Sequence, residues 1–248
     1  MSRFLHAAAL SALLAGPAAA FDIDAMSDSE REAFRGEVRA YLLENPEVLM
    51  EAISVLEQRD AEAQSASDAQ LVSRNSDALF DDGHSWVGGN PDGDVTVVEF
   101  LDYKCGYCKR AHPEVTELIE SDGNIRLIVK EFPILGEQSV EAASFAVAVL
   151  RTEGGEAYET VNDRLMAMRS DITENSLRRL SDELGLDTDT VMTEMEDPEV
   201  RSLLAENRQL GQTLQINGTP TFVFGDQLVR GYVPLDAMRD IVAEEREG

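Results

Sequence analysis

The sequence predicts an α/β domain carrying a long helical insertion and preceded by a small α-helical N-terminal segment. Three observations predict it. An apolar run, Val95 to Leu101, stops at Cys105-Gly106-Tyr107-Cys108, a helical pattern follows, and a second apolar run, Ile125 to Val129, comes after the turn Asp122-Gly123-Asn124. Strand, helix, strand with apolar strands is the pattern of a parallel βαβ unit. From Glu137 to about Gln215 the apolar spacing is helical throughout, and two amphipathic patterns stand ahead of the whole arrangement, between Ser27 and Leu56.

Taken in order, residues 1–20 read as a secretory leader. Arg3 supplies a positive start, Phe4 to Ala15 a short apolar core, and Ala18-Ala19-Ala20 a small-residue cleavage site. The expected product is an exported, periplasmic protein cleaved after Ala20; no later run approaches the length of a membrane span. Ser27 and Glu30 match a capping box, and Phe34, Val38, Tyr41 and Leu42 follow at helical spacing. Asn45-Pro46 restarts the chain as cap and first helical residue, and Val48, Leu49, Ala52, Ile53 and Leu56 form the next stripe. The stretch Gln58 to Asp77 reads as a polar helix or linker outside the core. Two short helices bury little surface alone, so residues 22–75 are expected to pack on copies of themselves, giving a homo-oligomer, or else on their own domain.

A second unit begins near Leu79-Phe80. Gly88-Gly89-Asn90-Pro91-Asp92-Gly93 is a turn cluster, and the cysteine motif opens a helix to about Glu120 with Pro113 inside it. In the insertion, Ala142 to Leu150 is apolar enough to be buried, Gly154-Gly155 breaks it, and further helices follow to Gln215. Met166, Met168, Met192 and Met195 sit on those helices as core filling rather than as a soft-metal cluster. Thr221 to Phe224, a break at Asp226-Gln227 and Leu228 to Gly231 give a hairpin, and Leu235 to Val242 a closing helix.

The net charge of −27 excludes nucleic acid and anionic membrane as partners, since both would repel the chain. Only three lysines occur, and two of them, Lys104 and Lys109, flank the cysteine motif. The chain holds two cysteines, two residues apart. A loop that small constrains the unfolded chain little, so the pair suits reversible redox exchange better than structural stapling. The rival class is metal binding: Cys108 and His112 lie four apart on one helix face with Cys105 close by, and a copper(I) site using the same cysteines is the alternative in that class. No further ligand pair is present for a closed zinc site, and neither a resident metal nor a cofactor is assigned.

These motifs together resemble a known family. Cys105-Gly106-Tyr107-Cys108 after a strand, Pro113 in the next helix and Gly218-Thr219-Pro220-Thr221 before a final hairpin resemble a thioredoxin fold. The helical stretch between the halves resembles the insertion of the DsbA family of exported thiol–disulfide oxidoreductases. Val38-Arg39-Ala40-Tyr41-Leu42 through Asn45-Pro46-Glu47-Val48-Leu49 is similar to the ScsC (suppressor of copper sensitivity) branch. The first likeness covers roughly residues 79–245 and the second roughly 22–75. It divides the chain into a leader (1–20), a helical oligomerisation segment with linker (21–75) and a DsbA-like thioredoxin domain (76–248, insertion about 137–215).

The resemblance implies that Thr219–Pro220 is cis and binds substrate backbone against the cysteine pair; residues alone show a Gly-Thr-Pro turn, and most X–Pro bonds are trans. It implies protein substrates carrying thiols or disulfides, and a membrane redox partner. Thr219 before the proline leans the activity toward disulfide isomerase or reductase, with a DsbA-type dithiol oxidase as the alternative. Cys105 is expected at the exposed N-terminal end of the motif helix and Cys108 half-buried one turn in, the helix end and the flanking lysines favouring a Cys105 thiolate. Glu99, Lys130 and Glu131 end the flanking strands, and one of them is either a buried proton relay beneath the cysteines or part of a surface ion pair. Lys130 is the supporting residue carried forward, with Tyr107 tuning the pair from inside the motif.

Overall fold

Ser27 accepts the backbone N–H of Glu30 and the Glu30 carboxylate accepts that of Ser27, so α1 (Asp28–Glu44) starts on the expected capping box. The computed structural model describes residues 25–247; the leader expected over residues 1–20 lies outside them. Asn45 was expected to open the second helix. Instead its side chain and its own N–H both donate to the Tyr41 carbonyl, at 2.9 and 2.8 Å, and so end the first. Next comes α2 (Glu47–Arg74), 28 residues long.

The chain divides into two compact units between Arg59 and Asp60, within α2 and not near residue 75. In the first unit α1 buries no residue, and Phe34, Val38, Tyr41, Leu49, Ile53 and Leu56 are all exposed.

In the second unit the end of α2 is helical, as one of its two readings has it, but it is part of the core, a correction to its place outside. Val72 and Asp68 are buried. Asp68 accepts both guanidinium nitrogens of Arg230, at 2.7 and 3.0 Å. Periodicity misses this because the stripe holds one valine and an acid whose partner lies 162 residues away. The short α3 (Ser76–Phe80) follows and buries Leu79. The sheet and its helices are then β1 (Trp86–Gly89), β2 (Val95–Leu101), α4 (Gly106–Asp122) and β3 (Ile125–Glu131). The insertion is α5 (Glu137–Glu153), α6 (Gly155–Ala167), α7 (Glu174–Leu184), α8 (Thr188–Glu194) and α9 (Pro198–Thr213). A hairpin of β4 (Thr221–Phe224) and β5 (Gln227–Arg230) and the helix α10 (Leu235–Glu247) complete it, with the hairpin break at Gly225-Asp226.

Strand order is β1-β3-β2-β4-β5. β2 and β3 are parallel, as the βαβ pattern requires, and the other pairings are antiparallel. β1 was not expected; its four residues include Gly88 and Gly89, which read as turn. Gly89 needs to be glycine, since its φ is +66° and a Cβ there would stand 2.4 Å from the Ile125 carbonyl oxygen.

Alternation along the strands sorts the core onto two faces. On one, Val97, Leu101, Leu127, Val129, Phe222 and Phe224 meet Cys108, Ala111, Val115 and Leu118 of α4, together with the insertion and α10. On the other, Val98, Phe100, Ile128 and Val223 meet Val72, Leu79, Leu210 and Leu214. Met166 is buried in the first cluster, and Met168, Met192 and Met195 pack against it as core filling. The single tryptophan, Trp86, stacks on Tyr158 with ring centres 5.4 Å apart and donates its Nε1–H to the Gly155 carbonyl at 3.0 Å.

Candidate active site

α4 begins two residues ahead of the second cysteine, at Gly106, because Cys105 itself caps it: its Sγ accepts the Cys108 N–H at 3.5 Å. The loop ahead of it is held by Asp102, whose carboxylate accepts the backbone N–H of Lys104 (2.8 Å), Ile134 (2.8 Å) and Leu135 (3.0 Å) and the hydroxyl of Ser139 (2.8 Å). Thr219–Pro220 is cis. The Thr219 carbonyl accepts the Cys105 thiol at 3.0 Å, which brings the hairpin approach against the motif.

Both cysteines are free and more covered than expected: Cys105 is 7% exposed and Cys108 fully buried. Their acidities are driven apart. The Cys105 thiol is lowered to about 5, first by the Cys108 side chain, against burial, with help from Thr219 and from the N–H groups of Cys108 and Tyr107 at the helix start. Cys108 is pushed far above an ordinary thiol by burial, by its bond to Cys105 and by the charge of Glu99. The lowered acidity favours the thiolate form of Cys105, whereas Cys108 favours its protonated form.

Beneath the pair stands Glu99, 2% exposed, on the face of β2 that meets α4. Burial, the charge of Glu131 and that of Cys105 push its carboxyl up to about 8. It lines a cavity of about 150 Å³, shared with His112, Val115 and Asn162. Glu131, at the end of β3 on the same face, accepts the hydroxyls of Tyr103 and Tyr158, both at 2.6 Å, and Asn162 donates to the Tyr103 hydroxyl at 3.0 Å. Its other oxygen is buried without a partner, and burial outweighs the two tyrosines to raise its carboxyl to about 8.

Lys130 is elsewhere, a correction to both of its expected places: it lies neither beneath the cysteines nor in a surface ion pair, but in a buried one. Strand alternation turns it to the opposite face, where its Nζ donates to the Ala78 carbonyl at 2.8 Å and pairs with Asp82. Parity along β3 was the available signal: residues 127, 129 and 131 share one face, so residue 130 belongs to the other. Tyr107 lies at the surface, 62% exposed, with its ring 6.3 Å from that of Tyr232. His112 lies 2.8 Å from Asp163 through Nε2, and among the described residues no three His, Cys, Asp or Glu side chains are grouped to hold a metal ion.

Residues 96–243 match the DSBA-like thioredoxin domain, and residues 30–63 match the copper resistance protein ScsC N-terminal domain. A thioredoxin-like oxidoreductase from Silicibacter pomeroyi DSS-3 is 45% identical with a TM-score of 0.66, over 69% of this chain and 98% of that one. Proteus mirabilis ScsC in a transitional conformation is 30% identical with a TM-score of 0.65, over 90% of this chain and 98% of its own. Disulfide bond formation protein D of Bacillus subtilis (strain 168) is 24% identical over 65% of this chain and 77% of that protein. The chain also matches sodium/proton antiporters, NhaA 3 of Salinispora tropica among them at 26% identity, but spans about a quarter of their length, 23% in that case.

Proposed function

Because the chain belongs to the DSBA-like thioredoxin-domain family and carries an ScsC-type N-terminal domain ahead of it, we propose that Cys105 and Cys108 are its catalytic pair and that it isomerises or reduces disulfides in protein substrates. Thiol–disulfide oxidoreductase chemistry of the DsbA/ScsC type comes with the family. The observation that carries the residue assignment is the split acidity of the two sulfurs, with the lowered one held against the cis-proline loop.

The Cys105 thiolate attacks one sulfur of a substrate disulfide. A bond forms between them as the substrate S–S bond breaks, and its electron pair leaves on the departing sulfur, which takes up a proton. Cys108, giving its proton to ionised Glu99, then attacks Cys105 and expels the second substrate thiolate. The enzyme has lost two electrons and the substrate gained two. If another substrate cysteine attacks the mixed disulfide first, the pairing changes without net oxidation, which is isomerisation. Backbone groups of Thr219 and Pro220 would align the substrate chain for either outcome.

Self-association through residues 22–75 supports the isomerase reading, since facing copies enclose a misfolded substrate; the exposed apolar positions of α1 and α2 support it in turn. One observation favours the oxidase alternative: a stabilised Cys105 thiolate makes the reduced pair favourable and its disulfide more oxidising. Export to the periplasm, with a membrane redox partner resetting the pair, completes the proposal; no helix among the described residues is long and apolar enough to cross a membrane. The test is refolding of a scrambled-disulfide protein by the full chain and by a chain beginning at Asp60. Isomerase activity and oligomeric mass should both be lost on shortening. If both survive, the oligomeric-isomerase reading falls.

A further inference from the structure

In a chain with 48 acidic and 21 basic residues, the surroundings of Cys105 are cationic. Lys104 precedes the cysteine, Lys109 and Arg110 occupy the first turns of α4, and Arg169 follows α6 on the loop that Lys109 reaches. The first three are held in place by uncharged groups, and Arg169 is exposed. The Lys104 Nζ donates to Gln138 Oε1 at 2.9 Å, and the Lys109 Nζ donates to the Met168 carbonyl. The Arg110 guanidinium lies 4.4 Å over the Tyr232 ring.

Three carboxylates on α4, α6 and the loop after α6 are engaged with other groups. Glu114 accepts the Tyr232 hydroxyl at 2.5 Å and the Leu235 N–H at 2.8 Å, Asp163 meets His112, and Asp171 faces the Gln138 amide. Among the described residues none of the four cations makes an ion pair, whereas Lys130, Arg151, Arg230 and Arg246 all do. Burial, and then the charges of Lys104 and Arg169, lower Lys109 below an ordinary lysine, as expected of cations sharing one patch. Exposed Tyr107 adds a contact surface beside the sulfur.

We propose that Lys104, Lys109, Arg110 and Arg169 form a cationic collar around Cys105 that selects polypeptide substrates whose reactive cysteine is flanked by acidic residues. This rests on the thiol–disulfide reading above and names the substrate class for that site. The whole-molecule charge pulls the other way and favours basic segments at long range. At roughly 0.15 M salt the Debye length is about 8 Å, so the distant acidic surface is screened while the collar still acts on a docked chain. Attack on such a substrate follows the exchange already written, with the acidic flank stabilised while Cys105 and the substrate sulfur join.

The test uses the reduced full chain and three peptide disulfides identical except for flanking Asp/Glu, Asn/Gln or Lys/Arg. Second-order rates of peptide reduction should favour the acidic peptide over the neutral one by ~10-fold at that salt, and the ratio should shrink as salt rises. The ratio is the readout because a change in thiolate reactivity moves all three rates together. Lys109→Gln with Arg169→Gln should bring it toward unity or invert it, and Arg169→Gln alone, at an exposed position, should move it part of the way. Equal rates, or preference for the basic peptide, overturn the collar and leave the oxidoreductase reading standing. No reaction with any peptide overturns that reading and the collar with it.

Discussion

Lys130 and Glu131 are neighbours in β3, yet alternation sends them to opposite faces of the sheet, and the two faces handle buried charge in opposite ways. Behind the sheet Lys130 meets Asp82, which also holds Ser85 and His84, so the buried ions are compensated. Burial acts to raise the Asp82 carboxyl, but His84, Lys130 and Ser85 outweigh it and hold it far below its ordinary value. On the motif side Glu99 and Glu131 pair with no cation among the described residues, and both are pushed up to about 8. A compensated buried ion contributes to structure alone. An uncompensated carboxyl sits ready to exchange a proton near neutral pH, which is what the proposed resolving role of Cys108 would draw on.

The largest expected effect separates the faces by chemistry. Cys105→Ser should reduce insulin-reduction turnover to the uncatalysed background, while Lys130→Met should keep turnover per folded molecule. Loss of turnover in Lys130→Met would erase the distinction. Next is pH. A carboxyl raised from 4.5 to about 8 gives stability that is full below pH 4.5 and lost as pH rises through 8, because the native state holds the extra proton. Thermal unfolding of the reduced protein should therefore weaken by a few kcal/mol across that window, and Glu99→Gln with Glu131→Gln should flatten the limb. Asp82 has the opposite sign: its contribution is present above the ordinary value of 3.8 and lost as pH falls below it, so Asp82→Asn should flatten the acid limb instead.

Third, Lys130→Met leaves Asp82 short of a cation and should cost ~3 kcal/mol in denaturant unfolding. The smallest effect is expected at the Asp68–Arg230 pair, whose arginine side chain stays 34% exposed, where Asp68→Asn should cost about 1 kcal/mol by the same measurement.

Much of this was legible in the sequence. A cysteine pair between an apolar run and a helix fixes the βαβ unit, and Ser27, Thr173 and Pro198 mark helix starts by local chemistry that needs no distant partner. What escaped depends on long-range pairing. β1 is four residues with two glycines and exists because β3 offers it an edge. Asp68 looks like linker until Arg230 arrives from the far end of the chain. Glu99 was among three candidates at the strand ends, from which Lys130 was carried forward; only strand parity tells which charge lies under the cysteines.

The lone indole offers a way to watch these events without a label. Trp86 stacks on Tyr158, whose hydroxyl donates to Glu131, whose charge in turn bears on Glu99 beneath Cys108. Each proton gained or lost at the carboxyls changes the field across that ring. Its emission is therefore expected to change when the cysteine pair is oxidised or reduced, and a stopped-flow measurement on unmodified protein checks it.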